Sequence, residues 1–155
     1  MNEFWDTNRF QAYQGVSVPQ FPNAFLITGP YGFAAGSYLA MIECTSRHAA
    51  RAIAEATRRG ATKVEIKQEP HDAYYDKYRR RAEKTMWLSP ACEGSNTYYV
   101  NYQGDAATIR PSTHLEMWWG NKHFPLDNYR YSVRMHNRAV SKTQPEAGEL
   151  QESRS

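Results

Sequence analysis

The chain has 155 residues, 41% hydrophobic and 14% aromatic, which is enough for one globular domain with a buried core and excludes a disordered chain. Its 19 Lys and Arg against 16 Asp and Glu leave a net charge of +3, a near balance that argues against nucleic acid as the main partner. No run approaches the ~20 apolar residues of a membrane span and no basic stretch leads into an apolar one at the N-terminus, so a cytoplasmic protein without a membrane span is expected.

Residues 2–20 mix Trp5, Phe10, Tyr13 and Val16 with polar residues and show no sustained period, which reads as a loop with one short element. Ala24 to Thr28 is a continuous apolar run bounded by turn residues, the pattern of a strand buried on both faces. Few strands precede it, so the sheet it belongs to is incomplete in this chain. After Gly29-Pro30, a loop with Gly32, Ala34, Ala35 and Gly36 leads to Ser37, a good N-cap. Leu39, Ile42, Ser46, Ala49, Ile53 and Ala56 then recur at helical spacing, with Glu43, Arg47, Arg51, Glu55 and Arg58 opposite. That predicts a long amphipathic helix with a Glu43–Arg47 pair, stopped by Gly60.

Lys63 to Lys67 alternates as a half-buried strand. Glu69-Pro70 opens a second helix with Tyr74, Tyr78 and Ala82 on one side and Arg79-Arg80-Arg81 on a solvated face, Asp76 being placed to pair with Arg80. Met86 to Leu88 and Thr97 to Tyr102 read as strands, and Arg110 to Tyr131 as irregular and aromatic. From about residue 136 the composition turns polar, the mark of a disordered tail. The fold class expected is α+β.

A buried strand, a Gly-rich turn and a capped helix start together aim free backbone amides and the positive end of a helix dipole at whatever lies above them. Glycines at 29, 32 and 36 would let a ligand approach the backbone, although many α/β proteins use the same device only to turn the chain. Cys44 and Cys92 have no metal-ligand spacing and read as free thiols. His48, His71, His114, His123 and His136 are scattered with no neighbouring triad pattern, so no metal is expected. The Trp and Tyr residues between 87 and 131 read as core.

Phe21-Pro22-Asn23-Ala24-Phe25-Leu26-Ile27-Thr28-Gly29-Pro30, then Gly36-Ser37 and Met41-Ile42-Glu43, closely resemble the last FAD-contacting segment of Baeyer-Villiger-type flavin monooxygenases. Tyr13-Gln14-Gly15-Val16-Ser17-Val18-Pro19 is similar to that family's lead-in. Trp87, Cys92, Tyr98-Tyr99, Gly104, Arg110-Pro111-Ser112 and Asp127-Asn128-Tyr129 follow its C-terminal layout more loosely.

The resemblance implies a lead-in over 1–20, the C-terminal segment of an FAD-binding domain over 21–67, a C-terminal cap region over 68–135 and a tail over 136–155. It implies that Gly29, Pro30, Gly36, Ser37, Tyr38 and Leu39 contact FAD, the helix start facing the pyrimidine side of the flavin ring. The family reaction uses NADPH to reduce FAD and inserts an oxygen atom beside a ketone or onto a heteroatom. No GxGxxG occurs here, so the nucleotide-binding parts are expected on another chain, and this chain alone is not expected to be catalytic. The alternatives are a stand-alone small-ligand-binding α+β module and, without an RNP-like motif to back it, an RNA-binding module.

Overall fold

A computed structural model describes residues 1–34, 36–92, 94–95 and 97–133; Ala35 and the tail expected to be disordered lie outside the described residues. In chain order come α1 (Asn2–Asn8), α2 (Tyr38–Arg58), β1 (Lys63–Ile66), α3 (Gln68–Ala82), α4 (His114–His123) and β2 (Tyr129–Ser132). The strands pair antiparallel as a two-stranded sheet with Lys63 opposite Ser132 and Ile66 opposite Tyr129. This mixture of helices and a small sheet is the α+β class expected.

Ser37 caps α2 by accepting from the Ala40 amide, and the helix ends before Gly60, whose φ of +63° closes it. Glu43 and Arg47 pair at 2.5 Å as their spacing predicts. The buried face is a different one from that read in the sequence. Met41, Cys44, Thr45, His48, Ala49, Ala52, Glu55 and Ala56 face inward, while Leu39 and Ile53 are 76% and 49% exposed. The polar members tolerate burial because each is satisfied. Thr45 donates to the Met41 carbonyl, and Arg58 and Arg59 bond both oxygens of Glu55, holding its carboxyl at about 2.

β1 buries Val64 and Ile66, and α3 buries Tyr74, Tyr78 and Ala82, as expected. Arg79, Arg80 and Arg81 are exposed. Arg80 donates to the Asp76 backbone carbonyl rather than to its carboxylate, and Arg81 reaches across to Glu116.

Three expected strands are not formed. Residues 24–28 are irregular: Asn23 and Thr28 take φ of +60° and +57°, outside the extended region, and the Leu26 amide bonds the Val16 carbonyl, with the Gly29 amide beyond it on Gly15, in place of a strand ladder. Met86–Leu88 is a single 3-10 turn, followed by another over Pro90–Cys92. No strand occurs among the described residues of 97–102; there the Tyr99 ring lies tilted against Trp87 at 4.3 Å and against Tyr98 at 4.2 Å.

The core forms around the lead-in. Residues 11–19 are all buried, and Tyr13 makes edge contacts with His48, Tyr74 and Tyr129. Its loop crosses the 29–32 turn so closely that a Cβ on Gly15 would lie 2.4 Å from the Gly32 Cα. Backbone bonds from Tyr31 to Ala107 and from Arg110 to Phe33 tie the same turn to the segment before α4. Three irregular segments thereby hold one another where a larger sheet was expected.

Candidate functional site

Gly36, Ser37, Tyr38 and Leu39 form one exposed stretch at the start of α2. The amides of Tyr38 and Leu39 lie in the first turn and have no acceptor within the helix. That first turn carries no acidic side chain, so nothing there offsets the positive end of the dipole. Tyr38 is 55% exposed and its hydroxyl lies 3.5 Å from Thr28 Oγ1, which ties the stretch to the turn before Gly29. Gly29 and Pro30 stand apart from it, half-buried, on the wall of a cleft of 210 Å³ that Phe10, Asn101 and Thr108 also line.

The structure gives the glycines a different reason from ligand access. A Cβ at Gly29 would meet Leu26 and the Gly15 carbonyl at 2.7 and 2.9 Å, and one at Gly32 would meet the Gly29 carbonyl at 2.6 Å. Gly36 has φ of +148° and lies against the His114 ring, where a Cβ would come within 2.5 Å of Nδ1. Chain crossings and a helix contact account for all three.

The contact with His114 discloses a feature not read in the sequence. Met41 and Cys44 pack with Met117, His48 bonds Asn121, and Arg51 donates to the Phe124 carbonyl at 2.7 Å. Contacts therefore advance together along α2 and α4, so the helices run parallel and their N-termini open side by side. Thr113 caps α4 by accepting from the Glu116 amide at 3.1 Å. Its Thr-His-Leu-Glu wording is a capping-box signal that could have located this helix.

The pair is fixed from below by a buried polar chain. His48 is fully buried, stacks on Phe124 at 3.7 Å, and places Nδ1 2.9 Å from Asn121 Oδ1 and Nε2 2.7 Å from the Tyr129 hydroxyl. The Asn121 amide nitrogen donates to the Met117 carbonyl, which turns Oδ1 toward the ring. His48 Nδ1 is then the donor, Tyr129 donates to Nε2, and Ser17 donates to Tyr129 at 2.8 Å. Burial holds the imidazole neutral down to about pH 3, against an opposing contribution from Asn121.

Arg110 is a second buried anchor, 2% exposed. It donates to Gln14 Oε1 and to the Tyr78 hydroxyl, both at 2.9 Å, and lies over the Tyr78 ring. The Tyr78 hydroxyl in turn donates to Glu116 Oε1, which also accepts from Lys77 and Arg81. Burial would raise the Glu116 carboxyl, yet these three donors outweigh it and hold the group at about 2. A buried cation is thus linked through one phenol to a carboxylate at the start of α4. Scattered His and Arg residues carry no local pattern, and only the fold brings them together.

No family model matches the chain. It is 26% identical over 150 residues to an uncharacterised monooxygenase, y4iD, of Sinorhizobium fredii, a match covering 96% of this chain and 22% of that protein. Its fold is similar to that of cyclohexanone monooxygenase from Rhodococcus sp. Phi1, solved bound to NADP+, with a TM-score of 0.54 at 17% identity, over 86% of this chain and 25% of that one. The resemblance to monooxygenases is therefore found in sequence and in fold alike. The chain spans about a quarter of the length of these proteins. No helix among the described residues is long and apolar enough to cross a membrane.

Proposed function

We propose that this chain supplies one wall of the flavin site of an FAD- and NADPH-dependent monooxygenase, of the kind that oxygenates ketones or heteroatoms, and works with a separate chain carrying the nucleotide-binding domains. The observation that carries this reading is the exposed start of α2: two amides without intrahelical acceptors, no acidic residue in the turn, and a parallel helix N-terminus alongside. The residues fit the group. Exposed Ile27, Tyr38 and Leu39 offer apolar surface to a flat ring, and the amides offer donors to its carbonyl and nitrogen edge.

When bound, flavin supplies the redox chemistry with reducing equivalents from NADPH and oxygen from dioxygen. The residues of this chain bind and orient. The amides of Tyr38 and Leu39 hold the ring edge and favour negative charge there, while Gly36 and Ser37 set the direction of the helix. Gly29 and Pro30 shape the neighbouring turn. The chain spans about a quarter of its relatives' length, and in this reading its residues supply binding surface while the nucleotide-binding domains supply the rest of the site.

Tyr38 occupies the first helical position, where proline is tolerated and removes only a donor the helix does not use. Ser37, at φ −70° and ψ 120°, already has the conformation that a following proline imposes. In a mixture with a complementing flavoprotein fragment, Tyr38→Pro is expected to weaken FAD binding about tenfold relative to Tyr38→Ala, the effect of losing one hydrogen bond to a charged or strongly polar group. Thermal unfolding of the two variants should coincide. Equal FAD affinity of Pro and Ala variants would refute a role for this amide.

A further inference from the structure

None of the residues of α1 is buried, so this helix does not serve to fill the core. It nevertheless gathers aromatic rings. Trp5 and Asp6 follow Asn2 by three and four positions, on the same side of the helix, and Arg9 leaves the helix at φ +65°, which brings Phe10 back on Trp5. Those two rings lie nearly parallel, 16° between planes and 5.0 Å between centroids. Tyr102 stands across Phe10 at 82° and 6.0 Å, and its hydroxyl donates to Asp6 Oδ1. Two aromatic walls thus meet at a right angle with a carboxylate beside them. They bound an open surface cleft of about 290 Å³, and Asn2, Trp5, Asp6, Phe10 and Tyr102 line it.

Bonds on both sides hold this corner in place. Trp5 Nε1 donates to the Gln11 carbonyl at 3.1 Å, and Gln103 Nε2 donates to the Trp5 carbonyl at 3.0 Å. Arg9 forks onto both oxygens of Asp105 and reaches the Gln103 carbonyl. The end of α1 and the turn that carries Tyr102 are thereby fixed to each other. The same bonds set the local charge: Arg9, next to Phe10 in the chain, is paired with Asp105, whereas the partner of Asp6 is a neutral phenol.

Ring faces attract a cation that comes within about 6 Å of their centroids, and a carboxylate adds a full opposite charge. A primary ammonium carries three N–H donors, for which rings offer no acceptors. A methylated, quaternary ammonium donates nothing and packs its methyl groups on the rings. At about 290 Å³ the cleft falls just below the roughly 300–1,000 Å³ of sites for drug-sized molecules, which suits a small head group. We infer that the corner between Trp5, Phe10 and Tyr102 binds a small organic cation with a quaternary, methylated ammonium head, Asp6 facing its charge. The site shares no residue with the stretch from Gly36 to Leu39 and does not depend on flavin.

The test uses the full chain and three probes: choline, its neutral carbon isostere in which tert-butyl replaces trimethylammonium, and ethanolamine, which keeps the charge without the methyl groups. Titration followed by ligand-observed NMR should show saturable binding of choline, with the isostere and ethanolamine each about tenfold weaker or more. Tyr102→Leu removes an exposed ring and Asp6→Asn removes the charge, and each should weaken choline binding about tenfold. Tyr98→Leu, at an exposed tyrosine outside the cleft, should leave it unchanged, with unfolding curves establishing that each variant is folded. The proposal fails if choline shows no saturable binding, if the isostere or ethanolamine binds as well as choline, or if the folded Tyr102→Leu variant binds choline like the parent.

Discussion

Lowering the pH from 6.5 to 3 is expected to remove on the order of 4 to 5 kcal/mol of stability through His48 alone. Burial depresses the folded imidazole from 6.5 to about 3. Within that window the unfolded chain binds a proton that the folded chain refuses, so stability rises with pH; it is fully present above 6.5 and is lost as pH falls. His71, also depressed by burial, acts in the same direction. Glu55 and Glu116, depressed from 4.5 to about 2, add their losses only below 4.5. The interval from 6.5 to 4.5 therefore belongs to the histidines. Urea midpoints across it should fall with acid, and His48→Gln should flatten that slope by about 1.4 kcal/mol per pH unit. An unchanged slope in the variant would show that His48 titrates normally.

Replacing Gly15 by alanine is expected to cost about 3 kcal/mol or more, among the largest effects of any single substitution outside the polar chain. Two causes add. Gly15 has φ of +72°, and its Cβ would fall 2.4 Å from the Gly32 Cα and 3.1 Å from the Gly32 amide nitrogen, backbone atoms that cannot swing aside. The displaced loop carries Tyr13 and Ser17, so the bonds from Ser17 to Tyr129 and from Asn128 to Tyr13 would be disturbed as well. Gly60 isolates the first cause: its φ is +63° but nothing lies within 4 Å. Gly60→Ala should therefore cost only the left-handed penalty of about 1–2 kcal/mol. Denaturant unfolding of the two variants would separate them, and equal losses would mean that the crossing with Gly32 is slack.

Features written in consecutive residues were legible in the sequence. Ser37 and Gly60 mark the ends of α2, Lys63 to Ile66 alternates, and Tyr74, Tyr78 and Ala82 share a face, all as seen. The reading failed where tertiary contacts outvote local pattern. The apolar run at 24–28 reads as a strand, but left-handed Asn23 and Thr28 fold it against the lead-in instead. The inner face of α2 differs because charge places Glu55 on the solvent side and no apolar period includes Thr45 or His48; bonds within the helix and to Arg59 satisfy Thr45 and Glu55, and partners 73 and 81 residues away satisfy His48. Two local signals could have been read: the Thr113–Glu116 cap of α4, and the alternation of Tyr129 and Tyr131 in β2. Of the candidate site, the resemblance names the stretch from Gly36 to Leu39, which the structure shows exposed at the start of α2, whereas the parallel partner helix, and the His48 and Arg110 anchors beneath it, depend on contacts that no spacing announces.

The measurement that tests the central proposal most directly is FAD fluorescence and NADPH oxidation, for the purified chain alone and after mixing with a flavoprotein fragment that supplies the nucleotide-binding domains. The account predicts FAD retention and NADPH oxidation in the mixture, with neither in the separate parts. A cooperatively folded chain that gives no flavin signal in either case would contradict it.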